Sequence, residues 1–123
     1  METVSIKIPA SPQFLGVLRL VAAGLAARLE FTLEDIEDLK IGVDELMAYL
    51  TGPQGRDGTL EIRFSVGDDH IEIDGVGHLA EDEKVRSKLT EMSQMILTTV
   101  ADAATLERLD GTPTFSLVKR MRT

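Results

Sequence analysis

The chain has 123 residues, 13 Lys and Arg against 21 Asp and Glu, a net charge of −8 and no cysteine. That length suits one domain, residues 1–123, with a real core, and 43% hydrophobic with 28% charged residues is a globular composition. The balance disfavours broad contact with nucleic-acid phosphates, which needs clustered Lys and Arg, and the missing cysteine excludes a disulfide framework and thiolate chemistry.

The one basic cluster, Lys119-Arg120-Met121-Arg122, is too short for a nucleic-acid reading. The opening Met1-Glu-Thr-Val lacks the basic and apolar regions of a signal peptide. The most apolar segment, Phe14 to Leu29, is interrupted by Arg19 and Arg28, so no membrane span is expected. These features fit a cytoplasmic protein.

Val4, Ile6 and Ile8 alternate with Ser5, Lys7 and Pro9, the pattern of a half-buried strand. Ser11 and Pro12 then read as the cap and first turn of a helix running to about Glu30. Phe14, Leu18, Val21, Leu25 and Leu29 form one stripe of it, and Leu15, Ala22 and Ala26 a second. A helix with no polar face is covered on more than one side. Two readings stand: it is the central core helix, or a second subunit covers one stripe and the protein is a homodimer.

Thr32 to Thr51 reads as the next helix. Thr32 and Asp35 form a capping box with Asp in the place of Glu. Glu34, Asp35, Glu37 and Asp38 place negative charge near the positive end of the helix dipole and read as a solvated face. Ile36, Leu39, Val43, Leu46, Met47 and Leu50 make the apolar stripe. On the far side Ile41, Gly42, Ala48 and Tyr49 surround a single carboxylate, Glu45. Either Glu45 reaches solvent at a helix edge, or it is partly covered and suited to act as a general base.

Gly52 to Gly58, with three glycines and a proline, is a loop; it lacks the Lys and Ser/Thr of a phosphate-cradling loop and reads as a connector. Leu60 to Val66 and Ile71 to Asp74 form a hairpin about Gly67-Asp68-Asp69. Asp74-Gly-Val-Gly-His78 closes the second strand. Glu81 to about Ala104 reads as a third helix, with Val85, Leu89, Met92, Ile96, Val100 and Ala103 on one face. Thr105 to Leu109, the turn Asp110-Gly111 and a strand holding Phe115, Leu117 and Lys119 complete the chain. The expected class is α+β: a two-layer sandwich of a largely antiparallel or mixed sheet with three helices on one face.

Two histidines, His70 and His78, and no cysteine give no metal cluster. No Ser-His-Asp arrangement or Rossmann fingerprint is readable.

The element order, with Glu37-Asp-Leu-Lys-Ile-Gly-Val-Asp-Glu45, Leu18 to Ala27, Ile8-Pro-Ala10 and Leu117-Val-Lys-Arg120, resembles the anti-sigma-factor serine kinases of bacteria. These are ATP-binding proteins of the Bergerat (GHKL) fold, and the resemblance covers nearly the whole chain. It implies that Glu45 stands at the family's catalytic base. It places Tyr49 where the family has a magnesium-binding Asn. The family's Asp-x-Gly-x-Gly, whose Asp reads adenine, falls near Asp74, Gly75 and Gly77, one residue short in spacing. The second glycine motif has no counterpart between His78 and Leu106. These departures imply a regulator that binds a sigma factor and/or its anti-sigma antagonist, with ATP and magnesium binding weakened or lost. The alternative is an active serine/threonine kinase that phosphorylates the antagonist. A third reading is an unrelated α+β dimer whose acidic helix is only a solvated face. The family resemblance also implies dimers.

Overall fold

The computed structural model of the protein describes residues 1–121; Arg122, the end of the basic cluster, lies outside them. The chain runs β1 (Glu2–Pro9), a single 3₁₀ turn (Pro12–Phe14), α1 (Leu15–Ala26), α2 (Leu33–Thr51), β2 (Gly58–Val66), β3 (His70–Leu79), α3 (Glu91–Val100), β4 (Ala103–Leu109) and β5 (Thr112–Arg120). The sheet order is β1-β2-β3-β5-β4, antiparallel at every pairing. The α+β, two-layer reading with three helices is therefore the architecture found.

Strand alternation decides which face meets the helices. Leu60, Ile62, Phe64 and Val66 of β2 are buried, as are Ile71, Ile73, Gly75 and Gly77 of β3 and Phe115, Leu117 and Lys119 of β5. Against them α2 sets Leu39, Val43, Leu46, Met47 and Leu50, the stripe expected from its period. Gly42 brings α2 closest to the sheet: a Cβ there would lie 3.1 Å from Leu117 Cδ2. No described helix is long and apolar enough to cross a membrane.

The start of α2 is held as its residues dictate. Thr32 Oγ1 accepts from the Asp35 N–H at 3.1 Å, and Asp35 Oδ2 accepts from the Thr32 N–H at 3.4 Å. The acidic turn is not a uniformly solvated face, however. Asp35 is fully buried, and Lys119 Nζ lies 3.8 Å from Asp35 Oδ1 and 3.5 Å from Asp38 Oδ2. Asp35 and Asp38 stand one turn and less from Leu39 on the core side of the helix, so they turn towards β5; Glu34 and Glu37 stay exposed.

The first helix is shorter than Pro12 to Glu30. Its opening turn is 3₁₀, with the Phe14 N–H donating to Ser11 O, and Ser11 makes no side-chain cap. Its end tightens through Arg28 N–H to Leu25 O and Leu29 N–H to Ala26 O, and Phe31 then drops into the core. Both apolar stripes are used within the domain: Leu18, Ala22 and Ala26 are buried, and Phe14, Leu15, Val21, Leu25 and Leu29 pack against the core. What α1 leaves exposed is the line between them, Val17 and above all Leu20 at 76%.

The third helix begins ten residues later than Glu81. A helix there would need the Lys84 and Val85 carbonyls for its own ladder. Arg56 Nη1 takes the first at 2.9 Å and Arg108 Nη2 the second at 2.7 Å. Thr90, extended at ψ 163°, is the true N-cap, its Oγ1 accepting from the Ser93 N–H at 3.1 Å. That shift turns the helix: Ser93, Leu97 and Val100 are buried, while Met92 is exposed.

Candidate functional site

Glu45 sits in the penultimate turn of α2, and what covers its side of the helix is the first turn of α3. Ser93 Oγ donates to Glu45 Oε2 at 2.6 Å. Tyr49, one turn after Glu45, donates its hydroxyl to Ser93 Oγ at 2.7 Å and accepts from the Thr90 N–H at 3.0 Å. The result is a directed chain of hydrogen bonds from Thr90 N–H through Tyr49 and Ser93 to the Glu45 carboxylate. Of the two readings of Glu45, partial cover is the one found, although Ile41 and Ala48 beside it remain exposed.

These residues form one wall of a cleft of about 360 Å³, completed by Gly52, Pro53, Arg56, Lys84 and Arg86. Arg56 is more than a loop residue. Its Nε donates to Leu50 O at 3.0 Å and its Nη2 to Tyr49 O at 3.1 Å, satisfying carbonyls that the end of α2 leaves open. Through Lys84 O it also fastens the 80–90 segment to α2. The loop from Gly52 to Gly58 is thus a staple for the site as well as a connector.

The Tyr49 phenol shows the balance of the site. Burial works to raise its pKa, but its hydrogen bonds with the Ser93 and Thr90 side chains and the one it accepts from the Thr90 N–H together outweigh it, and the group lies below its usual 10.0. The chain has one tyrosine and no tryptophan, so tyrosinate absorbance reports this group alone. We expect an alkaline midpoint below that of the urea-unfolded chain, moving upward in Ser93→Ala. A depressed acid contributes stability above its unfolded value, and that contribution is lost as pH falls through its folded value. The tyrosine contribution to stability should therefore grow between the folded midpoint and pH 10 and vanish below the folded midpoint.

Asp74, Gly75 and Gly77 stand elsewhere. Asp74 lies on the sheet face away from the helices, opposite Arg63 in the register, because the strand alternates and its neighbours Ile73 and Gly75 face inward. The structure does not bring its carboxylate to the Glu45 cleft. Gly75 has a neighbour that accounts for it: an added Cβ would lie 2.7 Å from Phe115 Cδ2 and Cζ and closer still to Cε2. Gly77 lies under Pro113, 3.1 Å from where a Cβ would be. No group of three or more metal-ligating side chains is present among the described residues.

Sequence reasoning missed Ser93, Thr90 and Arg56. Thr90-x-x-Ser93 was readable as a cap signal, but the continuous apolar spacing from Val85 onward hid it.

No protein-family model matches the chain. Over 78 residues, 59% of this chain, it is 38% identical to the serine-protein kinase RsbW of Bacillus pumilus, covering 48% of that protein. It is 36% identical over 75 residues to RsbW of Bacillus subtilis and 40% over 75 residues to RsbW of Oceanobacillus iheyensis, covering 47% and 48% of them. The chain spans about half the length of these curated relatives. By fold, it is similar to a crystal structure of the RsbU and RsbW domains of a Mycobacterium tuberculosis protein, with a TM-score of 0.69 over 100% of this chain and 34% of that one, at 13% identity. The resemblance to the anti-sigma-factor serine kinases thus holds in sequence and in a GHKL-like fold.

Proposed function

We propose that this chain, a relative of the RsbW serine-protein kinases in sequence and in fold, is a cytoplasmic partner-binding regulator of transcription. It holds a sigma factor and/or its anti-sigma antagonist, and its ATP binding is weakened or lost. The observation that carries this reading is the chain of bonds from Thr90 through Tyr49 and Ser93 to Glu45. Magnesium takes oxygen ligands in near-octahedral geometry and keeps several waters. Beside Glu45 the position one turn on is a phenol whose hydroxyl is already engaged by Ser93 and Thr90. The glycine strand supports the same reading, with the Phe115 ring over Gly75 and Asp74 on the other face of the sheet. A magnesium nucleotide does not fit these residues.

The helical layer supplies a surface for a partner. Val17 and Leu20 of α1 and Ile41 of α2 are exposed apolar side chains, and Glu34 and Glu37 are exposed acids on α2. A homodimer belongs to the same reading, built on the outer line of α1 rather than on either of its buried stripes.

The second reading, an active serine/threonine kinase acting on the antagonist, is favoured by one feature. Glu45 still lines a cleft that also holds Lys84 and Arg86, cations suited to phosphate.

Co-elution of the full chain with a cognate sigma factor and with an antagonist, in EDTA and in millimolar Mg-ATP, separates the two. The expected result is a complex with one of them in EDTA that Mg-ATP leaves unchanged. Phosphate transferred to an antagonist serine would favour the second reading. No complex with either protein would overturn both.

A further inference from the structure

We infer that Ser93 is a built-in occupant of the acceptor position of Glu45, and that the first turn of α3 is a plug which a partner's seryl or threonyl hydroxyl must displace to reach that carboxylate. The inference rests on the second reading above, in which Glu45 is the site's base, and adds its regulation.

A general base takes a proton only from a group within hydrogen-bond reach, about 2.6–3.2 Å between heavy atoms. The group at that distance from Glu45 is a hydroxyl of the chain itself, Ser93 Oγ at 2.6 Å. An incoming hydroxyl has to donate to the same carboxylate. Ser93 is poorly placed to be a casual surface neighbour: it is 4% exposed, on the buried line of α3 with Leu97 and Val100. Its hydroxyl is held from several sides, by Tyr49 OH at 2.7 Å and Thr90 Oγ1 at 3.0 Å, while its own N–H donates to Thr90 Oγ1.

The turn that carries Ser93 is fastened at nameable points. Tyr49 OH receives the Thr90 N–H, and Arg56 and Arg108 hold the Lys84 and Val85 carbonyls just upstream. Between Ala80 and Thr90 the segment has neither helix nor strand; these side-chain bonds position it together with the burial of Val85 and the Ala80 N–H bond to Asp57 O. It is the kind of segment that opens at lower free energy than a packed helix or a paired strand. A partner that pulled the turn away would free the carboxylate without moving α2.

The test labels carboxylates in the full chain with a water-soluble carbodiimide and an amine, read at each residue by mass spectrometry. Wild type, Ser93→Ala and Tyr49→Phe are compared, with exposed Glu37 and buried Asp35 as internal controls. The expected result is severalfold faster labelling of Glu45 in both variants, with Glu37 constant and Asp35 protected. Labelling of Glu45 at the wild-type rate in both variants would overturn the inference. So would a rise at Glu45 matched by a rise at Asp35, which would mean that Ser93 only holds the fold together. A Mg-ATP response of the wild-type protein would overturn the proposed loss of ATP binding and leave this labelling result standing.

Discussion

Replacing Lys119 by Ala is expected to destabilise the protein by about 3–5 kcal/mol, the cost of removing one partner from a buried ion pair. Lys119 is 4% exposed on the inner face of β5, and the carboxylates of Asp35 and Asp38 converge on its Nζ. Without the ammonium, the Asp35 carboxylate, at a site with no exposure to water, loses a cationic neighbour. Urea unfolding should show the loss as a lower midpoint at unchanged slope. The double change Asp35→Asn with Lys119→Met should recover part of it, since a neutral amide then replaces the buried carboxylate and its oxygen can still accept from the Thr32 N–H. A single Lys119→Ala variant as stable as wild type would show that the two carboxylates need no cation.

Gly75→Ala is the second large effect. The added Cβ would run into the Phe115 ring, and Phe115 is itself buried in the core, so the ring has nowhere to move. Overpacking of this kind costs about 1–3 kcal/mol, occasionally more. The coupling is the sharper observable. In a Phe115→Ala background the Gly75→Ala change should be nearly neutral, because what it collides with is absent. An equal cost in both backgrounds would show that Gly75 serves something other than the aromatic ring. This prediction bears on function, since the resemblance assigns Gly75 to nucleotide binding while the structure supplies a packing reason for it.

The helix from Leu33 to Thr51 was legible in its box, its stripe and its ends, which follow from local residue types, but not in all its faces: Gly42, read onto the far side with Glu45, is buried against Leu117. The hairpin turn at Asp110-Gly111 was legible too, where both residues take positive φ of 51° and 79°. Local pattern failed where distant residues compete for backbone. Nothing between Glu81 and Leu89 announces that Arg56 and Arg108 will take the carbonyls there. The inward turn of Asp35 and Asp38 was hidden for the same reason, because Lys119 lies more than eighty residues away. Glu45 stood out as a lone carboxylate among apolar neighbours, but its cover, Ser93, became visible only once α3 was placed.

Helix α1 teaches a related point. Its lack of a polar face was real, yet both stripes are used within the domain. Only the line through Val17 and Leu20 is left outward. Two stripes on a helix in a small domain therefore do not require a second subunit; one core can take both.

We propose that the site has kept its carboxylate while its nucleotide binding is weakened or lost. Thermal unfolding of the full chain in millimolar Mg-ATP, against the same protein in EDTA, tests it most directly. A ligand at 100 times its Kd adds about 2.7 kcal/mol to the folded state, a displacement of several degrees for a domain of this size. The account predicts coincident unfolding curves in the two conditions. A reproducible upward shift with Mg-ATP that EDTA abolishes would contradict it.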